Sequence, residues 1–332
     1  MSIDLTTTYL GLELPSPVMA SSSPVTGTLD GLIAAVEAGA GAVVLPSVFE
    51  EEVEAEAMAV HRDLETGAGI FGEAAEGYLP EPAGYEPSLE RQLDHLRSAA
   101  SAVDVPVIGS LNGVTAGGWV RYATKLVDHG ADAIELNLYR LAADPTETSA
   151  DVEAGYLELV EAVRAAVDVP LAVKIGPQFS ALAAMARRFA DAGADGLVLF
   201  NRFYQPDLDL ESLGVTPNLV LSDPSEARQV MRWIAILRPH FDGSLGATSG
   251  IHTWEDATKV ILAGADVVMM ASALLRNGPG HIAGVVDGLA TWLTEHDYES
   301  LAQARGSVSH ANAADPGGYE RANYIRILQS WR

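Results

Sequence analysis

Apolar residues along this chain alternate between two patterns: amphipathic stretches with helical spacing, and short, nearly unbroken apolar runs. One phrase joins them repeatedly, as AGAGAVVL (38–45), HGADAIEL (129–136), AGADGLVL (192–199) and AGADVVMM (263–270). Its glycine suits a helix C-cap, where a left-handed conformation is wanted. The apolar residues after it suit a parallel strand buried on both faces. A second joint, VDVPVIGS (103–110) and VDVPLAVK (167–174), also leads from helix to strand. These joints predict strands near 17–21, 42–46, 105–111, 133–138, 169–175, 196–201, 244–248 and 266–271. The helices predicted between them are 28–38, 88–102, 116–129, 151–166, 179–192, 224–238, 253–263 and 279–294. Such strict alternation predicts an α/β fold, a TIM (β/α)8 barrel. A Rossmann-type sheet is the alternative, but no G-x-G-x-x-G follows the first strand.

Three segments break the rhythm. TTTYLGLELP (5–14) reads as a hairpin ahead of the first strand, a lid on the barrel bottom. After the second strand, 48–87 holds an acidic helix, FEEEVEAEAMAVHRDLE, and a Gly/Pro/Tyr-rich loop, GEAAEGYLPEPAGYEP. Long loops in compact domains are usually functional. Residues 300–332 form a helical tail for docking on the barrel or a partner, which divides the chain into a barrel, 1–299, and a tail.

Composition narrows the function. The net charge of −25 repels a phosphate-rich polymer, so no nucleic-acid partner is expected. The chain has no cysteine, which excludes disulfides, iron–sulfur clusters and a cysteine nucleophile within it. The eight histidines are scattered without ligand spacing, so no metal site is expected. The opening MSIDLTTTYL lacks a basic-then-apolar leader, and no apolar run reaches the roughly 18 residues of a membrane span. The expected compartment is the cytoplasm.

Chemistry in this fold gathers where strands end. Those ends carry Ala20-Ser21-Ser22, Asn112-Gly113, Asn137, Asn201-Arg202, Thr248-Ser249-Gly250 and Ala271-Ser272. The small residues of the last two let backbone N–H groups approach an anion, so a phosphate site is expected there, with plain tight turns as the alternative. Lys174 interrupts an apolar strand and is costly to bury without a partner. It is a structural ion pair, a stabiliser of cofactor charge or a Schiff-base amine. The amides of Asn112, Asn137 and Asn201 suit a flat heterocycle, each offering a donor and an acceptor.

These residues resemble a known family. LGLELPSPVMASSSPVTG, ADAIELN, PLAVKIGP and above all ATSGIHTWEDATKVILAGADVVMMASALL are similar to the dihydroorotate dehydrogenases, FMN-containing (β/α)8 barrels of pyrimidine biosynthesis. The likeness runs from about residue 5 to 298, and the tail RGSVSHANAADPGGYERANYIRILQSWR resembles a divergent bacterial dihydroorotate dehydrogenase-like branch. The resemblance implies that Ala20 and Ser21 line the flavin and that Asn112 and Asn137 hydrogen-bond the ring or substrate. It places Lys174 near flavin N1 and O2, puts the FMN phosphate at Ser249, Gly250, Ala271 and Ser272, and turns Asn201 toward substrate.

The departures bear on the substrate. The family's strand-4 loop resembles N-L-S-C-P-N, whose Cys or Ser removes a substrate proton. Here it reads Asn137-Leu138-Tyr139-Arg140-Leu141-Ala142, with Arg140 at the base position. An arginine stays protonated and is no ordinary base. The loop's second Asn is Ala142, the family's strand-2 Lys gives way near Pro46, and the N-S-M-G-L-P-N segment is absent. An altered substrate is therefore expected, a heterocycle or unsaturated acid. Tyr139 or Tyr204 would protonate it, and Arg140 or Arg202 would bind a carboxylate. On that expectation, Arg140→Ala raises KM. Two other readings stand beside this one: a flavin-binding or electron-relay subunit working with a redox partner or as a homodimer, and an aldolase using Lys174.

Overall fold

The computed structural model describes residues 3–56, 58, 88–113, 115–321 and 323–331. Most of the long loop after the second barrel strand, including GEAAEGYLPEPAGYEP, lies outside the described residues.

A hairpin of β1 (Thr7–Tyr9) and β2 (Leu12–Leu14) comes first. The eight barrel strands are β3 (Val18–Ala20), β4 (Ala42–Val44), β6 (Val107–Asn112), β7 (Ala133–Asn137), β8 (Leu171–Ile175), β9 (Gly196–Leu199), β12 (Ser244–Thr248) and β13 (Val267–Met270). A short β5 (Val48–Phe49) extends the wall beside β6. All neighbouring pairs are parallel, and β4 pairing with β6 closes the ring. Helices Leu29–Glu37, Ser88–Ala102, Ala116–Asp128, Ser149–Ala166, Leu182–Asp191, Ala227–Leu237, Trp254–Ala263 and His281–Glu295 alternate with the strands. Strands and helices fall where the apolar pattern places them, and the fold is the predicted TIM (β/α)8 barrel.

The repeated phrase carries much of this. Its glycines, Gly39, Gly130, Gly193 and Gly264, all have positive φ, between 101° and 130°, and turn each helix into the next strand. The aspartate in three copies has a second role. Asp132 accepts the Val107 N–H, Asp195 that of Leu171 and Asp266 that of Leu245, at 2.7–2.8 Å. Each Asp thus ties the bottom of its own strand to the start of a neighbour. The helix starts are equally local: Thr148 and Thr253 form reciprocal capping boxes with Asp151 and Asp256.

The hairpin plugs the barrel bottom as predicted. Tyr9, Leu10 and Leu14 are buried against Met19, Ala42, Val44, Ile108, Ala133, Ala172, Val198, Val267 and Met269. A second hairpin, β10 (Pro206–Asp209) with β11 (Gly214–Pro217), is not foreseen by the pattern. It leaves the barrel after β9 with β10 wholly exposed. The tail runs back along the barrel, Gly306, Val308 and His310 donating N–H groups to Ile261, Leu262 and Ala235. It ends in the helix Asn323–Ser330, which buries none of its residues. Among the described residues no helix is long and apolar enough to cross a membrane.

Candidate active site

The strand C-termini surround a cavity of about 480 Å³, within the range of small-ligand and cofactor sites. Its wall takes Ser21 from the end of β3, Asn112 from β6, Asn137 from β7, Lys174 from β8, Asn201 beyond β9, Ser249 and Gly250 beyond β12, and Ala271 and Ser272 beyond β13. Nine residues singled out in the sequence therefore meet around one space. Ala20 is fully buried one residue below Ser21.

The lining groups differ in chemistry. Beyond β12, Ser249 and Gly250 are both left-handed, with φ of 72° and 77°. Ser249 Oγ donates to the Phe200 carbonyl at 3.0 Å. A Cβ on Gly250 would lie 2.3 Å from Ala227 N, so only glycine fits this turn. Ala271 and Ser272 open the helix Ser272–Asn277 alongside. Two successive left-handed residues beside a helix start make a tight turn of small side chains at the cavity wall.

At the ends of β7, β8 and β9, two amides and the lysine lie side by side. Asn201 Nδ2 donates to Asn137 Oδ1, which fixes both amides. Lys174 is 9% exposed, and its Nζ contacts Glu135 Oε1 at 3.4 Å. The ion pair considered from sequence is present, and the lysine also faces the cavity.

The two loop residues after Asn137 and Leu138 part company. Tyr139 lines the cavity. Its ring stacks on Phe203 at 4.4 Å and its hydroxyl accepts the Tyr204 N–H at 3.2 Å, which leaves the phenolic proton free to point elsewhere. Tyr204 lines the same wall. Arg140 is not among the residues around this cavity; it turns toward neighbouring clefts and pairs with Glu147 at 2.6 Å. Arg202 reaches the wall but is engaged by both carboxylate oxygens of Glu226, at 3.0 and 3.2 Å, and by the Val220 carbonyl.

Three serines complete the wall without having been read from the sequence. Ser23 is 8% exposed and its hydroxyl has no hydrogen-bond partner among the described residues. Ser47 shares a 2.7 Å hydrogen bond with Ser110. Ser222 meets His252 Nε2 at 3.1 Å and donates its N–H to Ser272 Oγ. Burial first, and the positive charge of Arg276 second, hold His252 below the ordinary imidazole value. The acidic segment after the second strand turns one carboxylate inward: Glu50, 1% exposed, accepts from both N and Oγ1 of Thr115, the N-cap of the helix behind Asn112.

The donor set fits a flavin mononucleotide: planar amides and a cation for a heterocyclic ring, small left-handed turns for a phosphate, and the unpartnered Ser23 hydroxyl between elements of the wall.

Comparison with known proteins follows the same line. The family model for dihydroorotate dehydrogenase matches residues 4–293. The catalytic subunit of dihydroorotate dehydrogenase B (NAD(+)) from Thermoplasma acidophilum is 24% identical over 90% of this chain and 96% of that protein. Its counterpart from Pyrococcus abyssi is 28% identical over 89% and 96%. The NAD-dependent dihydropyrimidine dehydrogenase subunit PreA of Escherichia coli is 26% identical over 92% and 77%. Matched by the family model over most of its length, this chain belongs to the dihydroorotate dehydrogenase family of oxidoreductases.

Proposed function

We propose that the protein is an FMN-dependent oxidoreductase that interconverts a carbon–carbon single and double bond in a small heterocycle or unsaturated acid. The observation that carries this is that Asn112, Asn137, Asn201 and Lys174 line a single cavity together with the Ser249–Gly250 and Ala271–Ser272 turns. FMN, when bound, supplies a two-electron acceptor or donor. The protein's share is binding, orientation and charge. Ser249, Gly250, Ala271 and Ser272 hold the phosphate, Ala20 and Ser21 back the ring, and Asn112 and Asn137 bond its edge or the substrate. Lys174 offers positive charge. Asn201, fixed by Asn137, faces the substrate.

The proton comes from a different residue than in relatives with a Cys or Ser at the loop position. Tyr139 and Tyr204 are the hydroxyls on the cavity wall nearest that position in sequence. The two are linked through the Tyr204 N–H, which ties the loop after β7 to the loop after β9. Arg140, tied to Glu147 at the rim, is not used in this reading, and Arg202 would bind a substrate carboxylate only by giving up Glu226. Dihydroorotate itself, which would place the protein in pyrimidine biosynthesis, is one candidate among ring and open-chain substrates. The relatives named as subunits suggest a redox partner or a second copy as the electron outlet, and the exposed Ile325, Leu328 and Trp331 of the tail offer a docking surface. A Schiff-base aldolase is disfavoured because Lys174 Nζ is already engaged by Glu135.

The test is an anaerobic visible spectrum of the purified protein before and after dihydroorotate, then a panel of dihydropyrimidines and saturated acids. An oxidised-flavin spectrum that bleaches with one of them supports the reading. A colourless protein that takes up no added FMN ends it.

A further inference from the structure

One carboxylate beneath the cavity has no role so far. Glu135 and Asn137 share a face of β7, two residues apart, so Asn137 reaches the cavity wall while Glu135 lies one layer deeper. The register partner of Lys174 is Asn137, not Glu135. Lys174 nonetheless leans down the barrel to reach Glu135 Oε1 at 3.4 Å. Glu135 is 1% exposed, and its Oε2 has no hydrogen-bond partner among the described residues. The same is true of the Tyr9 hydroxyl on the plugging hairpin. Burial, then the charges of Glu135 and Asp266, push the Tyr9 phenol well above its usual value, so it stays neutral.

This is a poor device for stability. The contact is long beside the roughly 2.7–2.9 Å of a strong charge-assisted bond. Half of the carboxylate is unsatisfied, which costs free energy in a dry interior. Buried ion pairs can often be replaced by apolar groups without loss. Such a pair, one layer below a ligand cavity, is explained by its effect on the ligand.

Resting on the flavin reading above, we infer that Glu135 is a positioning residue that acts through Lys174 to set the reduction potential of the bound flavin. A lysine cation beside the ring favours the reduced, more electron-rich state. Glu135 draws Nζ down the barrel and offsets its charge where the dielectric is low and the field is strong. The pair therefore holds the potential below the value that an uncompensated lysine would give.

The experiment is the midpoint potential of the FMN-loaded protein, by anaerobic equilibration with a reference dye at one pH. It compares wild type, Glu135→Gln, Lys174→Met and the double variant. Glu135→Gln should move the equilibrium about tenfold or more toward reduced flavin, a positive shift of about 30 mV for a two-electron couple. Lys174→Met should move it the other way, and in that background the Glu135→Gln shift should largely disappear. An unchanged or more negative potential in Glu135→Gln overturns the proposal. So does an undiminished shift without Lys174, which would assign the effect to the field of Glu135 itself. If Glu135→Gln does not fold, Glu135→Leu replaces it in the same comparison, alone and with Lys174→Met; a positive shift that disappears without the lysine upholds action through it, and no shift, or one undiminished without the lysine, overturns it. Wild type that binds no FMN overturns the flavin reading and this inference together. FMN-loaded wild type beside an unmoved Glu135→Gln overturns only the inference.

Discussion

Two buried carboxylates of the barrel, Asp266 at its bottom and Glu135 halfway along β7, are treated very differently. Asp266, at the bottom of β13, receives Arg238 at 3.0 Å, Arg305 at 2.5 Å and the Leu245 N–H at 2.7 Å. Both of its oxygens are satisfied. Glu135, one layer beneath the cavity, has one contact at 3.4 Å and one oxygen with none among the described residues. The first is what a stabilising buried charge looks like. The second is tolerated where the barrel does its chemistry, in keeping with the division of this fold into a structural bottom and a functional top.

The largest effect should come from the bottom. Asp266→Ala removes the shared partner of two arginines and the acceptor for a strand N–H. It should cost about 3 kcal/mol, at the low end for a broken buried pair because both arginines are partly exposed. Urea unfolding would read this as a lower midpoint at constant slope. A loss below about 1 kcal/mol would erase the contrast between the two carboxylates. Next is the mouth pair. Glu135→Leu with Lys174→Met should leave stability unchanged or raise it by about 1–4 kcal/mol, as apolar replacement of buried pairs does. The same variant should bind FMN more weakly in a fluorescence titration. A protein destabilised as much as Asp266→Ala would show that the mouth pair, too, is structural.

A smaller effect should follow pH. The folded state holds His252 below its ordinary value, near about 6.5 in an unfolded chain. A depressed imidazole contributes stability that is complete above the unfolded value and lost as pH falls through the folded one. Wild type should therefore lose stability faster than His252→Asn below about pH 6.5. Parallel pH profiles for the two proteins would remove His252 from the account.

The bottom of the barrel was the more legible end. Four glycine joints and two VDVP joints placed six of the eight barrel strands and the helices before them, because a turn after an amphipathic run is a local signal. The aspartate beside three of those glycines was legible only as composition, since its partner is a neighbouring strand about 20–25 residues away. The hairpin of β10 and β11 escaped because PDLDLESLGVTP is rich in Asp, Glu and Pro and β10 buries neither face. At the mouth, residues on strands were foreseen and residues on loops were not. Ser222 follows the exposed hairpin and has no periodicity to place it. Glu135 had a readable signal, a carboxylate in an apolar strand two residues before Asn137, but its meaning needed the lysine across the seam.

Arg140 is the residue whose direction sequence could not supply. It sits three positions past Asn137, where the family pattern puts the catalytic base, and that position led to the expectation of substrate binding. Period-two alternation ends with the strand, however, and nothing local fixes where a loop side chain points. In the structure the Arg140 side chain is half exposed and bonded to Glu147, outside the cavity that holds Tyr139. Exposed pairs of this kind contribute at most about 1 kcal/mol. Arg140→Ala should therefore change stability by no more than that and leave KM for the reducing substrate unchanged, while Tyr139→Phe lowers kcat. A large rise in KM for Arg140→Ala would mean that the loop reverses on binding and carries the guanidinium inward, which would make the rim as functional as the floor beneath it.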